Sequence, residues 1–383
     1  MDLSVIGQYR IEYIEWAVLP GERARSAGCN ARLGVHGRNV PQPFARIAVA
    51  DQIGFGWSRV TREQADRIVG KSISSLFLDS GLIKPEYRCI EFPLLDCVGR
   101  LLNKPVYSLV QNPNRKSENK QLRVPCYDTS LYFDELNIPD STKAIELMKT
   151  EVLEGLHNGH LNFKVKVGRG AKHMGLLEGL KRDIEVIMAV REVAGPPGKL
   201  MIDANNGYNL NLTKEVLSAT KAAEIFWIEE PFHEDPVLLG DLKEWMAAEN
   251  LKCLIGDGEG LAAPHLMDWA KKGLVDVLQY DLRDYGFCSW LELGQLLDRH
   301  NVKSAPHNYG GPYGNYAMAH LLTAIEGFLF VEWDDVKVAG LECDGYRIQQ
   351  GALVVPETPG FGLQLEEGYY KSHVMENGWS VKV

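Results

Sequence analysis

LMIDANNGYNLNLTKEVLSATKAAEIFWIEEP, residues 200–231, decides the fold. It opens on a short apolar run ending in Asp203 and turns through asparagine and glycine. It then continues as GYNLNLTKEVLSATKAAE, with apolar residues three and four apart. A second apolar run, IFWI, ends in Glu229. Strand, amphipathic helix, strand is one βα unit of a parallel sheet, and here both strands end in an acid.

Outward from this unit the pattern repeats. The strands read VPCYDT, NFKVKVG, LMIDANN, IFWIEEP, KCLIGDGE, DVLQYDL, VKSAPHN and GFLFVEWDD, with helical stretches such as GLLEGLKRDIEVIMAVREV between them. Eight strands is the number that closes a barrel, so the expected fold class is α/β, a (β/α)₈-type barrel over residues 123–337. Before it, RIEYIEWAVL and FARIAVAD read as strands, the second running into a glycine turn at GFGW, and Thr61 to Leu109 reads as helical. The polar, proline-containing QNPNRKSENKQ (Gln111–Gln121) marks the boundary. The tail from Val338 to Val383, rich in glycine and turns, lacks a βα pattern and is expected to return to the first part. An α+β capping domain from 1–122 plus 338–383 follows.

Composition narrows the function. The chain has 383 residues, 45% hydrophobic and 24% charged, as in soluble globular proteins with a large core. A net charge of −10 argues against nucleic acid or an anionic membrane as partner, because both require a positive surface field. No apolar run approaches the roughly 18 residues that span a bilayer, and MDLSVIGQYRIEYIEW has no basic-then-apolar leader pattern; the expected location is cytoplasmic. Seven scattered cysteines without a CxxC pair predict free thiols.

In a parallel barrel the catalytic groups converge at the C-terminal strand ends. Asp203, Glu229 and Glu259 end three successive strands, 26 and 30 residues apart, one βα unit each. Three carboxylates at one point repel unless a cation neutralises them, and an all-oxygen set selects a hard cation, Mg²⁺. Glu230 adjoins Glu229, and Asp257 lies two residues before Glu259, so the pattern alone leaves those two ligands open.

On the preceding strand, Lys164 and Lys166 are two residues apart and point to one face. Each is expected to lower the other's pKa, making Lys166 the candidate base. Asp281 and His307 end the sixth and seventh strands, where the carboxylate can fix the imidazole tautomer. Glu332, on the last strand, is expected to hydrogen-bond a substrate carboxylate if kept protonated. His320, inside YAMAHLLTAIEG, is expected to pack or cap on a helix.

Together KVK (164–166), IDANNGY, WIEEP, GDGEG, the Asp281 and His307 pair and FVEWDD resemble the enolase superfamily, and within it the mandelate racemase subgroup. The resemblance covers most of the chain, with IEFPLLDCVGRLLNKPVY like the capping helix and TPGFGLQL like the C-terminal return. It implies Mg²⁺ on Asp203, Glu229 and Glu259, a lysine base on one side of the substrate and a His-Asp dyad on the other. It also implies a homo-oligomer.

The common step so implied is abstraction of the proton α to a carboxylate, giving an enediolate that the metal stabilises. Loss of a β-hydroxyl would then make the protein an acid-sugar dehydratase; return of the proton to the opposite face would make it a racemase or epimerase. A catalytically silent sugar-acid-binding barrel is the alternative outside enzymes. In the resembling family the segment matching Gly21–Asn39 closes over the substrate, and here it carries Arg25, Arg32 and His36, donors suited to a polyhydroxylated acid. Asn205 and Arg283 are further candidate substrate contacts. The expected partner is therefore a small acid sugar.

Overall fold

Strands from the two ends of the chain form one antiparallel sheet in the order Trp379–Lys382, Ile11–Leu19, Gln42–Val49, Gln52–Trp57. These strands belong to a computed structural model that describes residues 3–113 and 121–383. Residues 114–120 of the expected boundary segment Gln111–Gln121 lie outside the described residues. The expected glycine turn at GFGW is instead part of the fourth strand. Gly54 is required there because the helix Glu91–Leu101 presses onto the sheet, and a Cβ at Gly54 would come within 2.4 Å of the Cys97 backbone nitrogen.

The eight expected βα strands are Arg123–Leu131, Asn162–Lys166, Leu200–Asp203, Ile225–Glu229, Leu254–Asp257, Val277–Leu278, Lys303–Ser304 and Val331–Trp333. The first seven pair in chain order, all in parallel, and the eighth pairs in parallel with the first. A parallel bridge from Ser304 to Phe328 lies between the seventh strand and the segment entering the eighth. Amphipathic helices alternate with the strands, several capped by the residue that the sequence supplies: Asp140, Asn209 and Asp235 each accept a backbone N–H of the first turn.

Side chains two apart on a strand share a face, and that periodicity builds two layers. Tyr127, Met201, Trp227, Val277, Ala305 and Phe330 form a buried apolar cluster. Two residues further along their strands stand Thr129, Asp203, Glu229, Gln279, His307 and Glu332, the polar layer above it.

The tail divides. Trp379–Lys382 joins the N-terminal sheet, but Ala352–Val354 pairs antiparallel with the start of the first ladder strand. The polar stretch near residues 20–40 is largely a strand: Gly21–Ala27 pairs with Gly37–Asn39 and with Val336–Val338, just past the last ladder strand.

Candidate active site

Strand register brings the charged residues together. Lys166 is the lateral partner of Asp203, and Asp203 of Glu229. Lys164 Nζ lies 2.8 Å from Glu229 Oε1, 3.0 Å from Glu332 Oε1 and 3.5 Å from Asp203 Oδ2, while Lys166 Nζ contacts Asp203 Oδ2. The two lysines were expected to depress one another. Instead, although burial opposes it, Asp203 and Glu259 raise Lys166, and Glu229 and Glu332 raise Lys164 well above the usual value. Carboxylates on neighbouring strands outweigh the lysine–lysine repulsion.

Asp203, Glu229 and Glu259 each offer an oxygen within 4.8 Å of the others. Burial and the nearby Asp203 push Glu229 up to about 7, and Glu259 Oε2 is buried with no aligned hydrogen-bond donor, although His307 Nε2 lies 3.1 Å away. A converging, under-neutralised oxygen set fits a hard divalent cation, with Mg²⁺ the ion these three would hold. Glu230 accepts from Asn205 Nδ2 at 3.2 Å, and burial and Glu259 push it up to about 9. Burial and Glu234 raise Asp257 well above the carboxylate range. Neither belongs to the converging set.

On the opposite side, His307 Nδ1 is 2.6 Å from Asp281 Oδ1. Burial opposes its charge, but Glu259, Glu332 and Asp281 push His307 up to about 10. Glu332 departs from the protonated acid expected of it. Despite burial, Lys164, His307 and the Asn308 N–H (2.7 Å) hold it well below the usual carboxylate range, so it is an anion bracing Lys164 and His307.

The expected substrate contacts divide too. Asn205 Nδ2 donates to Glu230 and to Glu259 Oε1, each at 3.2 Å, and so orients the carboxylates. Arg32, half-exposed, reaches within 4.0 Å of Glu230, and His36 packs its ring on Tyr132 and Tyr309. Arg25 and Arg283 are engaged elsewhere. Arg25 pairs with Glu154 (3.0 Å) and Glu151 (3.4 Å), and Arg283 donates to the carbonyls of Tyr309 and Gly310. Each lies opposite acceptors far away in sequence, which local patterns do not reveal. A cavity of about 320 Å³ lined by Arg25, Asp128, Glu154 and His160 includes neither lysine and none of the three carboxylates.

Other residues at the site were not singled out in the sequence. Gln279 Nε2 (2.8 Å) and Trp227 Nε1 (3.2 Å) donate to Glu229 Oε2, and Thr129 Oγ1 donates to Glu332 at 2.8 Å. Strand periodicity would have found Gln279 and Trp227, since both lie two residues before a named acid. Tyr132 and Tyr309 lie beyond the strand ends.

The enolase C-terminal domain-like family model matches residues 147–369. A variant of the galacturonate dehydratase of Geobacillus sp., crystallised with Mg, is 48% identical and superposes with a TM-score of 0.98 over 100% of both chains. A galacturonate dehydratase of Geobacillus sp. complexed with D-galacturonate and 5-keto-4-deoxy-D-galacturonate is 49% identical, with a TM-score of 0.94 over 98% of this chain and 99% of that one. Arabinonate dehydratase of Saccharolobus solfataricus is 25% identical over 288 residues, 74% of this chain and 70% of its own. These likenesses carry a TIM-barrel-like α/β fold with a capping domain. Matched by that family model over more than half its length, the chain belongs to the enolase superfamily.

Proposed function

We propose that this protein is a Mg²⁺-dependent acid-sugar dehydratase, with Lys166 as base and His307 as acid. The observation that carries this is the flanking of one carboxylate ring by two basic groups: Lys166 against Asp203, and His307 3.1 Å from Glu259. Bound by Asp203, Glu229 and Glu259, Mg²⁺ would stabilise the negative charge that develops on the substrate carboxylate.

In its neutral form Lys166 Nζ takes the α-proton, breaking the C–H bond and leaving an enediolate. The electron pair then forms the Cα–Cβ double bond as the β-hydroxyl departs with a proton from His307 Nε2, as water. The enol left behind tautomerises to a 2-keto-3-deoxy acid. Asp281 on Nδ1 leaves Nε2 as the nitrogen facing the ring. Glu332 holds Lys164 and His307 in place.

The substrate to test first is a hexuronate. The ligands named for the 49%-identical relative, D-galacturonate and 5-keto-4-deoxy-D-galacturonate, differ by one water, with the new carbonyl beside the carboxylate. Incubation with Mg²⁺, galacturonate and a panel of aldonates and aldarates in D₂O tests the proposal. Keto-acid formation is the expected result. Deuterium at the α-carbon without loss of water would mean epimerisation, and neither with any acid sugar, in Mg²⁺-binding protein, would mean a silent barrel.

Closure of the eight strands into a (β/α)₈ barrel, the division into 123–337 and 1–122 plus 338–383, and a homo-oligomeric, cytoplasmic protein complete the proposal. Seven free cysteines suit a reducing compartment. Among the described residues, no helix is long and apolar enough to cross a membrane.

A further inference from the structure

Tyr132 lies just beyond the first ladder strand and is buried. Three groups meet its ring. Lys166 Nζ stands over the ring, 5.3 Å from its centroid. The Tyr309 ring stacks on it with centroids 5.0 Å apart and planes 28° apart. The His36 ring meets it in a T-shaped contact at 4.9 Å, and meets Tyr309 similarly at 5.3 Å. Tyr309 is itself held from the strand Gly21–Ala27, with the Arg23 guanidinium over its ring at 4.4 Å.

Lysine side chains have four rotatable bonds, and an ammonium held by one carboxylate is free to swing about it. An aromatic face is attractive to the cation and impenetrable to the stem, so it removes that freedom on one side. Because Tyr309 and His36 back the ring, it cannot yield.

We propose that Tyr132 is the positioning residue of Lys166, with its ring face fixing Nζ opposite Asp203, and with Tyr309 and His36 holding that ring from the segments around the site. The kinetic consequence rests on Lys166 being the base, as proposed above; the placement itself does not. Tyr132 acts through Lys166 and needs no contact with substrate. What the site requires of it is a ring, not a hydroxyl.

Y132F and Y132L separate these requirements, once circular dichroism and thermal unfolding establish that both fold. In Y132L, kcat is expected to fall about tenfold or more with KM within about twofold, since misplacing a reacting group costs rate rather than binding. Y132F should stay within about threefold of the parent. An equal loss in Y132F would transfer the role to the hydroxyl, and an unchanged kcat in Y132L would remove it; either overturns the proposal. A second readout needs no substrate. With ¹³Cε-labelled lysine and K166R for assignment, the Lys166 CεH₂ protons of the Mg²⁺-loaded protein should carry a ring-current displacement that Y132F keeps and Y132L loses. If the parent shows no displacement, the placement is wrong whatever the activity. If the displacement is present and no acid sugar is turned over, the dehydratase proposal fails and the placement stands.

Discussion

His307 presents Nδ1 to Asp281 Oδ1 at 2.6 Å, while the other Asp281 oxygen accepts the Gly260 N–H at 2.9 Å. One carboxylate thus fixes both the imidazole and the loop that follows Glu259. Asp281→Asn keeps the shape but removes the anion that holds the proton on Nδ1. Its kcat is expected to fall by about 10- to 100-fold with little change in Mg²⁺ affinity, measured by steady-state kinetics and calorimetry.

The two basic arms should separate by isotope. In Lys166→Ala, both α-proton exchange and keto-acid formation should fall by about 100-fold or more. In His307→Asn, keto-acid formation should fall as far while deuterium still enters the α-carbon in D₂O. Full dehydration by either variant would end the two-arm mechanism.

Mg²⁺ should stabilise the folded protein by relieving repulsion among Asp203, Glu229 and Glu259. At about 100 times its Kd the gain is about 2.7 kcal/mol, seen as a rise in Tm by differential scanning calorimetry. Glu259→Gln should lose most of that rise. Chelation should abolish turnover, and added Mg²⁺ should restore it.

His320 supplies a pH prediction away from the chemistry. Its Nδ1 accepts the Tyr107 N–H at 3.0 Å, and its Nε2–H donates to the Tyr346 hydroxyl at 2.8 Å. Burial pushes its pKa down to about 3, below the ordinary 6.5 that it regains on unfolding. The stability this neutral ring contributes is therefore complete above pH 6.5 and is lost as the pH falls toward 3, by about 1.4 kcal/mol per pH unit. Denaturant unfolding between pH 7 and 4 should show a shallower decline in His320→Gln than in the parent.

Arg169 is fully buried and joins Glu135 to Asp183, with Nη1 2.7 Å from Asp183 Oδ1 and 3.2 Å from the Lys166 carbonyl. Arg169→Met leaves buried Asp183 without its cation and Glu135 with only Arg182, 4.0 Å away. A loss of about 3–5 kcal/mol in urea unfolding is expected. Arg169→Met together with Asp183→Asn should recover part of it.

Much of the site was legible because strand periodicity is local: KVK, Asp203 and Glu332 two residues past Met201 and Phe330, and the strand-end Asp281 and His307 follow from spacing, whereas the choice of Glu229 over Glu230 and of Glu259 over Asp257 rested on the family resemblance. What was not legible depends on residues meeting across the chain. Glu332 is an anion because Lys164 and His307 converge on it from other strands, and no pattern within FVEWDD encodes that. Arg25 looked like a free donor in a polar segment, but the helix Ser141–His157 brings Glu151 and Glu154 to it. The sheet formed by Gly21–Ala27 was hidden for the same reason, since one of its partners is Val336–Val338.

That last pairing has a consequence for the order of assembly during synthesis. Arg23 meets Asp334 across 311 residues of chain, at 3.0 and 2.8 Å, beside the strand pairs Val336 to Arg23 and Val338 to Gly21. Gly21–Ala27 is synthesised about 300 residues before Asp334 and Val336–Val338, so it waits for that pairing while Lys164, Lys166, Asp203, Glu229, Glu259 and His307 emerge. A chain cut short before Asp334 would therefore carry both lysines and the three carboxylates while Gly21–Ala27 lacked both its Asp334 anchor and its Val336–Val338 partner.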